Sequence, residues 1–259
     1  MSASRQARIA ETVGTLGECS VEQLARKFGV SEMTIRRDLQ ALAEAGRVLR
    51  THGGAAASER VSFEFKFLER VRERQHAKQE IARAAAALVR DGQSVLVDSG
   101  TTTLALAHEL KVRRNLTLIT SSLPIASELQ FCDAINVYLL GGQLRRQSPD
   151  LIGAIAESTL ENVRTDLAFL GADGVDERGF VYNKSPEVAR MLVHMAKAAR
   201  KVYVVTDSSK VGRTELMRFG SLRQWDGLVT DRDLSRRHAA ALARAGVKII
   251  QPSSNPSKP

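Results

Sequence analysis

A run of hydroxyl, carboxyl and guanidinium side chains at residues 31–37 has the types needed to hydrogen-bond DNA bases and phosphates. A mostly apolar stripe at helical spacing predicts a helix here, formed by Met33, Ile35, Leu39 and Leu42. Thr34, Arg36 and Arg37 fall on the other faces of this helix. A guanidinium can bond guanine bidentately, and hydroxyls and guanidiniums both bind phosphates. The helix is therefore either a DNA-reading helix for the major groove or a surface helix whose arginines are only solvated.

The residues before this helix favour the DNA-reading interpretation. Ser20 and Gln23 have the spacing of a capping box, in which each side chain bonds the backbone N–H of the other residue. Gly29 then provides a tight turn, and Ser31 can cap the second helix. A helix, a short turn containing glycine and a second capped helix form the plan of a helix-turn-helix.

A basic strand pair is predicted after the second helix. Gly46 ends that helix, and residues 47–55 predict two short strands that close at Gly53-Gly54. Such a wing lies beside the sugar-phosphate backbone in DNA complexes. The predicted DNA contacts are Ser31, Glu32, Thr34, Arg36, Arg37, Arg50, Thr51 and His52.

The bulk charge is weak evidence for the same partner. The formal net charge of the 259 residues is +9, which is compatible with a polyanion. Residues 1–60 nevertheless carry only a small excess of Lys and Arg over Asp and Glu, so the motif supports DNA binding better than the charge does. A non-specific DNA-coating protein is therefore the weaker alternative.

The remainder of the chain alternates strand-like and helix-like patterns. Helical stretches separate several apolar runs at 94–97, 116–119, 135–140, 167–170, 202–205, 228–229 and 247–250. This alternation predicts an α/β domain with a parallel sheet covered by helices. Ligands of such sheets bind beyond the carboxyl ends of the strands, at the residues that we call the strand exits.

The strand exits are rich in hydroxyls, glycines and a few charges. Residues 98–103 form a hydroxyl loop that opens a helix, where backbone N–H groups and the helix dipole favour an anion; the alternative is a plain capped turn. Carboxylates could bond sugar hydroxyls, and a lysine could hold an anion. The predicted effector site comprises Asp98, Ser99, Gly100, Thr101, Thr102, Thr103, Thr120, Ser121, Gly141, Gly142, Asp173, Glu187 and Lys210.

Both halves of the chain resemble one family. The residues Arg5, Ile9, Val13 and 31–39 are similar to the N-terminal signature of DeoR-family bacterial transcriptional regulators. Nearly all of residues 60–250 resembles the sensor domain of that family, on the motifs Asp98–Thr102, Gly141-Gly142, Gly171–Val175 and Asp207–Lys210. The resemblance implies a mainly α winged helix-turn-helix followed by a larger α/β Rossmann-like sensor domain similar to ribose-5-phosphate isomerase.

The resemblance also implies a function. It implies a repressor of sugar or polyol catabolism genes, released or less often activated by a phosphorylated sugar or polyol effector. The alternative is a sugar-phosphate isomerase-like enzyme with a DNA-binding domain, because Asp173, Glu187 and Lys210 stand in matching motifs. We expect no enzymatic activity and hence no catalytic residues, since these residue types serve binding as well.

The remaining expectations concern domains, partners and location. Four segments are predicted: a winged domain at 1–57, a linker at 58–76 with Phe63, Phe65, Phe67 and Leu68, a sensor domain at 77–250, and a disordered tail at 251–259. Cys19 and Cys132 belong to no metal-binding or disulfide pattern, so no metal and no cofactor are expected. We expect a cytoplasmic protein that binds double-stranded operator DNA and itself, as a dimer or tetramer, and no membrane.

Overall fold

The computed structural model describes residues 2–57, 67, 69–146 and 148–252, with side chains from residue 4 onward. The chain divides into two compact units, residues 1–73 and 74–259, and each is described by itself. Of the predicted linker, Phe63, Phe65 and Leu68 lie outside the described residues, as does the tail from residue 253.

The first unit contains the predicted helix-turn-helix. It comprises α1 (Ser2–Leu16), β1 (Glu18–Ser20), α2 (Val21–Phe28), α3 (Glu32–Glu44), β2 (Leu49–Thr51) and β3 (Gly54–Ala56). Both bonds of the Ser20–Gln23 capping box are present, and Gly29 has a left-handed φ of 63° at the end of α2. The strands form an antiparallel sheet in the order β1-β3-β2, so the predicted strand pair gains a third strand, β1.

The apolar face of α3 holds this unit together. Ile35 and Leu39 are fully buried in a cluster with Ile9, Val13 and Leu24, and each such side chain contributes about 1.5–3 kcal/mol of burial free energy. The prediction that Met33 belongs to this face was wrong, because its side chain is 60% exposed. Residues two apart lie on nearly opposite sides of a helix, so Met33 and Ile35 cannot share one face.

The second unit is the predicted α/β domain. Its strands are β4 (Ser94–Val97), β5 (Leu116–Thr120), β6 (Ile135–Leu139), β7 (Gln143–Leu144), β8 (Leu151–Ile152), β9 (Thr165–Gly171), β10 (Gly174–Val175), β11 (Phe180–Asn183), β12 (Ala199–Val205), β13 (Met217–Ser221), β14 (Gly227–Val229) and β15 (Ile249–Ile250). Its helices are α4 (Gln75–Ala86), α5 (Thr101–Leu110), α6 (Leu123–Leu129), α7 (Ala154–Glu161), α8 (Pro186–Lys197) and α9 (Arg236–Arg244).

Seven of these strands form one parallel sheet in the order β15-β14-β12-β9-β4-β5-β6. Alternate residues point to opposite faces: Val95 and Val97 pack with α4, α5 and α6, whereas Leu96 packs with α7, α8 and α9. Both faces are therefore covered, which accounts for the continuous apolar character of the predicted strands.

The order of the strands reverses at β4. From β4 the chain proceeds to β5 and β6 on one side, then crosses back to β9 and β12 on the other side. The carboxyl ends of β4 and β9 thus flank a topological switch point, where open parallel sheets bind their ligands.

The short strands were not predicted. β7 pairs with β8 as an antiparallel hairpin, and β10, β11 and β13 form a small antiparallel sheet. Most of these segments are only two to five residues long and lack an apolar run, so they give little periodic signal.

Candidate functional site

The exposed face of α3 carries the predicted DNA-reading residues. Ser31 caps the helix, since its Oγ accepts from the Thr34 N–H at 3.2 Å and lies 2.9 Å from the Thr34 hydroxyl. The guanidinium of Arg36 donates to Glu32 at 3.3 Å, in an exposed pair. Arg37 is exposed, and its side chain has no partner in the described part of the chain. Arg37 is therefore the donor on this face with most bonding capacity left for DNA.

The wing presents the other predicted contacts. Arg50 pairs with Ala55 across the β2–β3 ladder, and its side chain is exposed. His52 is exposed in the turn, which closes through Gly53 at a φ of 89°, and Thr51 is half-buried.

A buried ion pair that was not predicted connects the outer helices of this unit. The carboxylate of Asp38, on α3, accepts from Arg5 Nε at 2.6 Å and from the Gln6 amide at 3.1 Å. Asp38 is 3% exposed, so its charge depends on these partners. Arg5, a residue of the family signature, therefore stabilises α1 against α3.

Asp98 connects the two strand exits at the switch point. Its Oδ2 accepts from the N–H of Gly171, the last residue of β9, at 3.0 Å. The pKa of Asp98 is raised to about 7, mainly by burial and to a lesser extent by the nearby Asp150 carboxylate. The N–H groups of Gly171 and Ser99 and the charge of Arg145 act in the opposite direction. Asp98 thus titrates close to neutral pH.

The hydroxyl loop begins α5 with unused hydrogen-bonding capacity. Gly100 is the N-cap and no side chain caps this end of the helix. Thr101 and Thr102 are half-buried, and their hydroxyls have no partner among the described residues. Thr103 differs, because it is buried and its hydroxyl donates to the Gly100 carbonyl at 3.0 Å. Three groups are therefore free to bind an anion: the Thr101 hydroxyl, the Thr102 hydroxyl and the first-turn N–H groups.

The predicted residues at the exit of β5 are buried and form hydrogen bonds within the protein. Thr120 is fully buried, and its Oγ1 accepts from the Ser122 N–H at 3.1 Å. Ser121 is also buried, and its carbonyl accepts from the Leu151 N–H at 2.9 Å. The second of these bonds attaches the β7–β8 hairpin to the end of β5.

The two glycines after β6 allow the backbone to lie close to β8 and α7. Gly142 has a φ of 134°, and a Cβ there would overlap the carbonyl of Ile152. A Cβ at Gly141 would lie 3.3 Å from the side chain of Ile155. The predicted close approach is therefore to strand β8 at Gly142 and to helix α7 at Gly141.

The three remaining predicted residues lie on separate elements. Asp173 accepts from the Lys184 N–H at 3.1 Å, and Lys210 is half-buried in a 3₁₀ turn, Ser208–Lys210, after β12. Glu187 is exposed in the first turn of α8, and the Ser185 hydroxyl donates to it at 2.7 Å. That bond lowers the pKa of Glu187, and the charge of Arg145 lowers it further. Within the described residues, no hydrogen bond or ion pair joins these three side chains to the hydroxyl loop.

Two functional candidates in the β7–β8 hairpin were missed. Asp150 is 1% exposed, accepts from the Ser99 hydroxyl at 2.7 Å, and accepts from Arg145 Nε and Nη2 at 2.8 and 2.9 Å. A single acid and a single base within a loop give no periodic signal. The spacing of Arg145, three residues after the Gly141-Gly142 pair, was the only available indication.

Arg74, the first residue of the second unit, was also missed. It has a φ of 49°, unusual for a residue with a side chain. Its guanidinium lies 3.2 Å from Asp207, 3.5 Å from the buried Asp231 and 3.2 Å from the Ser208 hydroxyl. These contacts attach the start of α4 to the exit of β12.

Within residues 2–57, 67, 69–146 and 148–252, no group of three His, Cys, Asp or Glu side chains could hold a metal ion. Both cysteines are free thiols. Over the same residues, the helices are all too short or too polar to cross a bilayer.

Comparisons with known proteins match both units. A family model described as the DeoR-like helix-turn-helix domain matches residues 5–61, and one described as the DeoR C terminal sensor domain matches residues 73–232. Among solved structures, ribose 5-phosphate isomerase A from Methanocaldococcus jannaschii superposes with a TM-score of 0.40 and 21% identity, over 53% of this chain and 54% of that one.

Curated relatives extend over nearly the whole chain. The HTH-type transcriptional regulator GlpR of Haloferax volcanii is 35% identical over 250 residues, 96% of this chain and 98% of that protein. The glycerol-3-phosphate regulon repressor of Escherichia coli K12 is 34% identical over 223 residues, 86% of this chain and 88% of its own. These relatives are named as regulators rather than enzymes, which favours the regulator over the isomerase-like alternative. The chain belongs to the DeoR family of DNA-binding transcriptional repressors.

Proposed function

We propose that this protein represses genes of sugar or polyol catabolism and leaves its operator when a phosphorylated sugar or polyol binds the sensor domain. The observation that supports the effector class is the hydroxyl loop. It combines an uncapped helix start, two unbonded threonine hydroxyls and a position at the topological switch point.

The DNA half of the proposal rests on α3 and the wing. Arg37 and Arg36 lie on the exposed face of α3, and Arg50 and His52 are exposed on the wing. We assign base contacts to the helix and backbone contacts to the wing, because a wing lies over phosphates and a helix fits the major groove. A single module of this size covers few base pairs, so the proposal includes a symmetric dimer or tetramer on repeated half-sites.

Regulation follows from linkage between the two ligands. An effector that binds better to the form with low DNA affinity shifts the equilibrium toward that form. The shift equals the difference between its two binding free energies, typically about 1–3 kcal/mol. Action on operator DNA also places the protein in the cytoplasm.

The test begins with a thermal-shift screen of the full chain against phosphorylated sugars and polyols, each beside its unphosphorylated form. A ligand specific for the folded state stabilises it by RT ln(1 + [L]/Kd), about 2.7 kcal/mol at a hundredfold excess over Kd. We expect a shift only with a phosphorylated compound, and the same compound should release operator DNA in a gel-shift assay.

A double variant tests the hydroxyl loop directly. Thr101→Ala with Thr102→Ala removes both unbonded hydroxyls, so the effector concentration needed to release DNA should rise at least tenfold. The matched control is Thr159→Ala on α7, whose hydroxyl donates within its own helix. An unchanged response of the double variant, or stabilisation by free sugars alone, would refute the phosphate assignment.

A further inference from the structure

A hydrogen-bonded unit joins the hydroxyl loop to the β7–β8 hairpin. The Ser99 hydroxyl and two N–H groups of Arg145 all donate to the same carboxylate, that of Asp150. We call these three residues the Ser99–Asp150–Arg145 unit. Asp150 and its partners therefore place a guanidinium beside the loop where the effector phosphate is proposed to bind.

The backbone fixes the position of this unit. Asp150 forms an isolated bridge with Ser122, the Leu123 N–H donates to the Pro149 carbonyl at 2.9 Å, and the Arg145 N–H donates to the Asp150 carbonyl at 3.0 Å. Asp150 is thus attached to the β5 exit, and Arg145 is attached to Asp150 within the hairpin. The guanidinium is positioned before any ligand arrives, which reduces the entropy lost on binding.

Arg145 keeps donors for a further partner. A guanidinium has five N–H groups, and the two bonds to Asp150 use two of them. Its side chain is 24% exposed, whereas that of Asp150 is 2% exposed. Within the described residues, Arg145 has no other acidic partner in hydrogen-bond or ion-pair contact, so its remaining N–H groups can meet a ligand from solvent.

The carboxyl groups around the hydroxyl loop would repel a phosphate, so a cation is needed there to bind one. Asp98 lies in the hydroxyl loop, Asp150 bonds the Ser99 hydroxyl of that loop, and both carboxyl groups are buried. A phosphate monoester brings a charge of about −1.5 to −2. Hydroxyls and N–H groups alone would leave that charge facing carboxylates, whereas a guanidinium offsets it and binds phosphate oxygens in a fork geometry.

We propose that Arg145 contacts the effector phosphate and determines the preference of the sensor for a phosphorylated ligand, with Asp150 and Ser99 as its positioning residues. This proposal rests on the effector site proposed above. It adds to the site a residue that the sequence did not predict, and it predicts a loss of affinity for phosphorylated ligands when that residue is replaced.

The experiment measures binding of glycerol 3-phosphate, ribose 5-phosphate and inorganic phosphate to the full chain by calorimetry. Arg145→Gln should weaken binding of the phosphorylated probes at least tenfold. Arg145→Lys should weaken their binding several-fold, because a lysine cannot bond Asp150 and phosphate bidentately. Arg146→Gln is the matched control, since it removes the same charge from the neighbouring exposed position and should leave affinity unchanged. Ligand-free operator affinity should be the same in all variants.

Three results would overturn the proposal. If Arg145→Gln binds the probes as the wild type does while the Thr101/Thr102 double variant does not, Arg145 is only structural and the proposed function stands. If the wild type binds no phosphorylated probe, both the effector site and the role of Arg145 fail. If Arg145→Gln does not fold, Arg145→Lys decides, and wild-type affinity in that variant refutes the role of the fork.

Discussion

At the scale of single residues, exposure separates the side chains that can bind a ligand from those that hold the fold. Arg37 and Arg5 are both arginines of the DNA-binding unit, but Arg37 is exposed and unpaired within the described residues, whereas Arg5 bonds a buried carboxylate. Residue type alone does not distinguish these roles. The burial of the partner, Asp38, does.

Arg37→Ala should weaken operator binding without changing stability. One bidentate contact to a base discriminates by about 1–3 kcal/mol, so we expect a loss of about tenfold or more at fixed salt. A gel-shift titration measures it, with Arg244→Ala at the exposed end of α9 as the control. Unchanged operator affinity would show that α3 meets DNA through other residues.

Asp38→Ala should instead destabilise the first unit. The substitution leaves the Arg5 guanidinium without its partner and removes a buried charge-assisted bond, which contributes about 1.5–3 kcal/mol. Chemical denaturation of the full chain should show the loss, and Glu22→Ala, which breaks the exposed Glu22–Arg26 pair, should cost less than about 1 kcal/mol. Equal costs would contradict the structural role of Asp38.

The pH dependence of the free energy of unfolding should reveal the titration of the Asp98 carboxyl group. Its pKa is about 7 in the folded protein and 3.8 ordinarily, so the unfolded chain loses its proton at lower pH than the folded one. Stability from protonated Asp98 is complete below about pH 4 and is lost as pH rises through 7.

Asp98→Asn removes that titration. The difference between its thermal midpoint and that of the wild type should therefore rise between pH 4 and 7 and stay constant above about pH 8. Each kcal/mol of difference in the free energy of unfolding corresponds to about 2–4 °C. Asp166→Asn is the control, because the Ser94 N–H and hydroxyl lower the pKa of Asp166, and no rise is expected between pH 5 and 8. A flat difference for Asp98→Asn would contradict the raised pKa.

At the scale of elements, the important contacts join loops that are distant in sequence. Arg74 attaches the start of α4 to Asp207 and Asp231, at the exits of β12 and β14. Its left-handed backbone costs free energy that these contacts offset. The first residue of the second unit is thereby attached to the carboxyl end of the sheet, where the candidate effector site also lies.

Arg74→Ala should therefore change the coupling between effector binding and operator release more than it changes the affinity for the effector. We expect the effector found in the thermal-shift screen to bind within threefold of its wild-type affinity, while release of operator DNA requires a higher effector concentration. Calorimetry and gel shift on the same samples separate the two quantities. Arg232→Ala serves as the comparison at the neighbouring exit. A parallel loss of binding and release would place Arg74 in the effector site instead.

At the scale of the whole molecule, a repressor built from one small winged unit needs a partner copy to cover enough DNA. Analytical ultracentrifugation of the full chain should give a dimer or tetramer at micromolar concentration. Footprinting should show paired half-sites spaced by about one helical turn, 10–10.5 base pairs, or its multiples. A monomer that protects a single half-site would contradict the symmetric arrangement.

The sequence by itself determined the type and order of the main elements, because caps and apolar periodicity act over a few residues. The Ser20–Gln23 capping box, the Gly29 turn and the strands of the parallel sheet all follow from such local signals. It also indicated the family, since the residues of a reading helix have fixed spacing.

Only the tertiary structure decided which polar residues meet. The reversal of strand order at β4 brings Asp98 to Gly171, and the β7–β8 hairpin brings Asp150 and Arg145 to Ser99. These contacts span from 5 to 73 residues of sequence and depend on crossovers and buried charge, neither of which has a local pattern. For the same reason Thr103, Thr120 and Gly142 resembled ligand residues in the sequence, although in the folded chain they support the loops around the site.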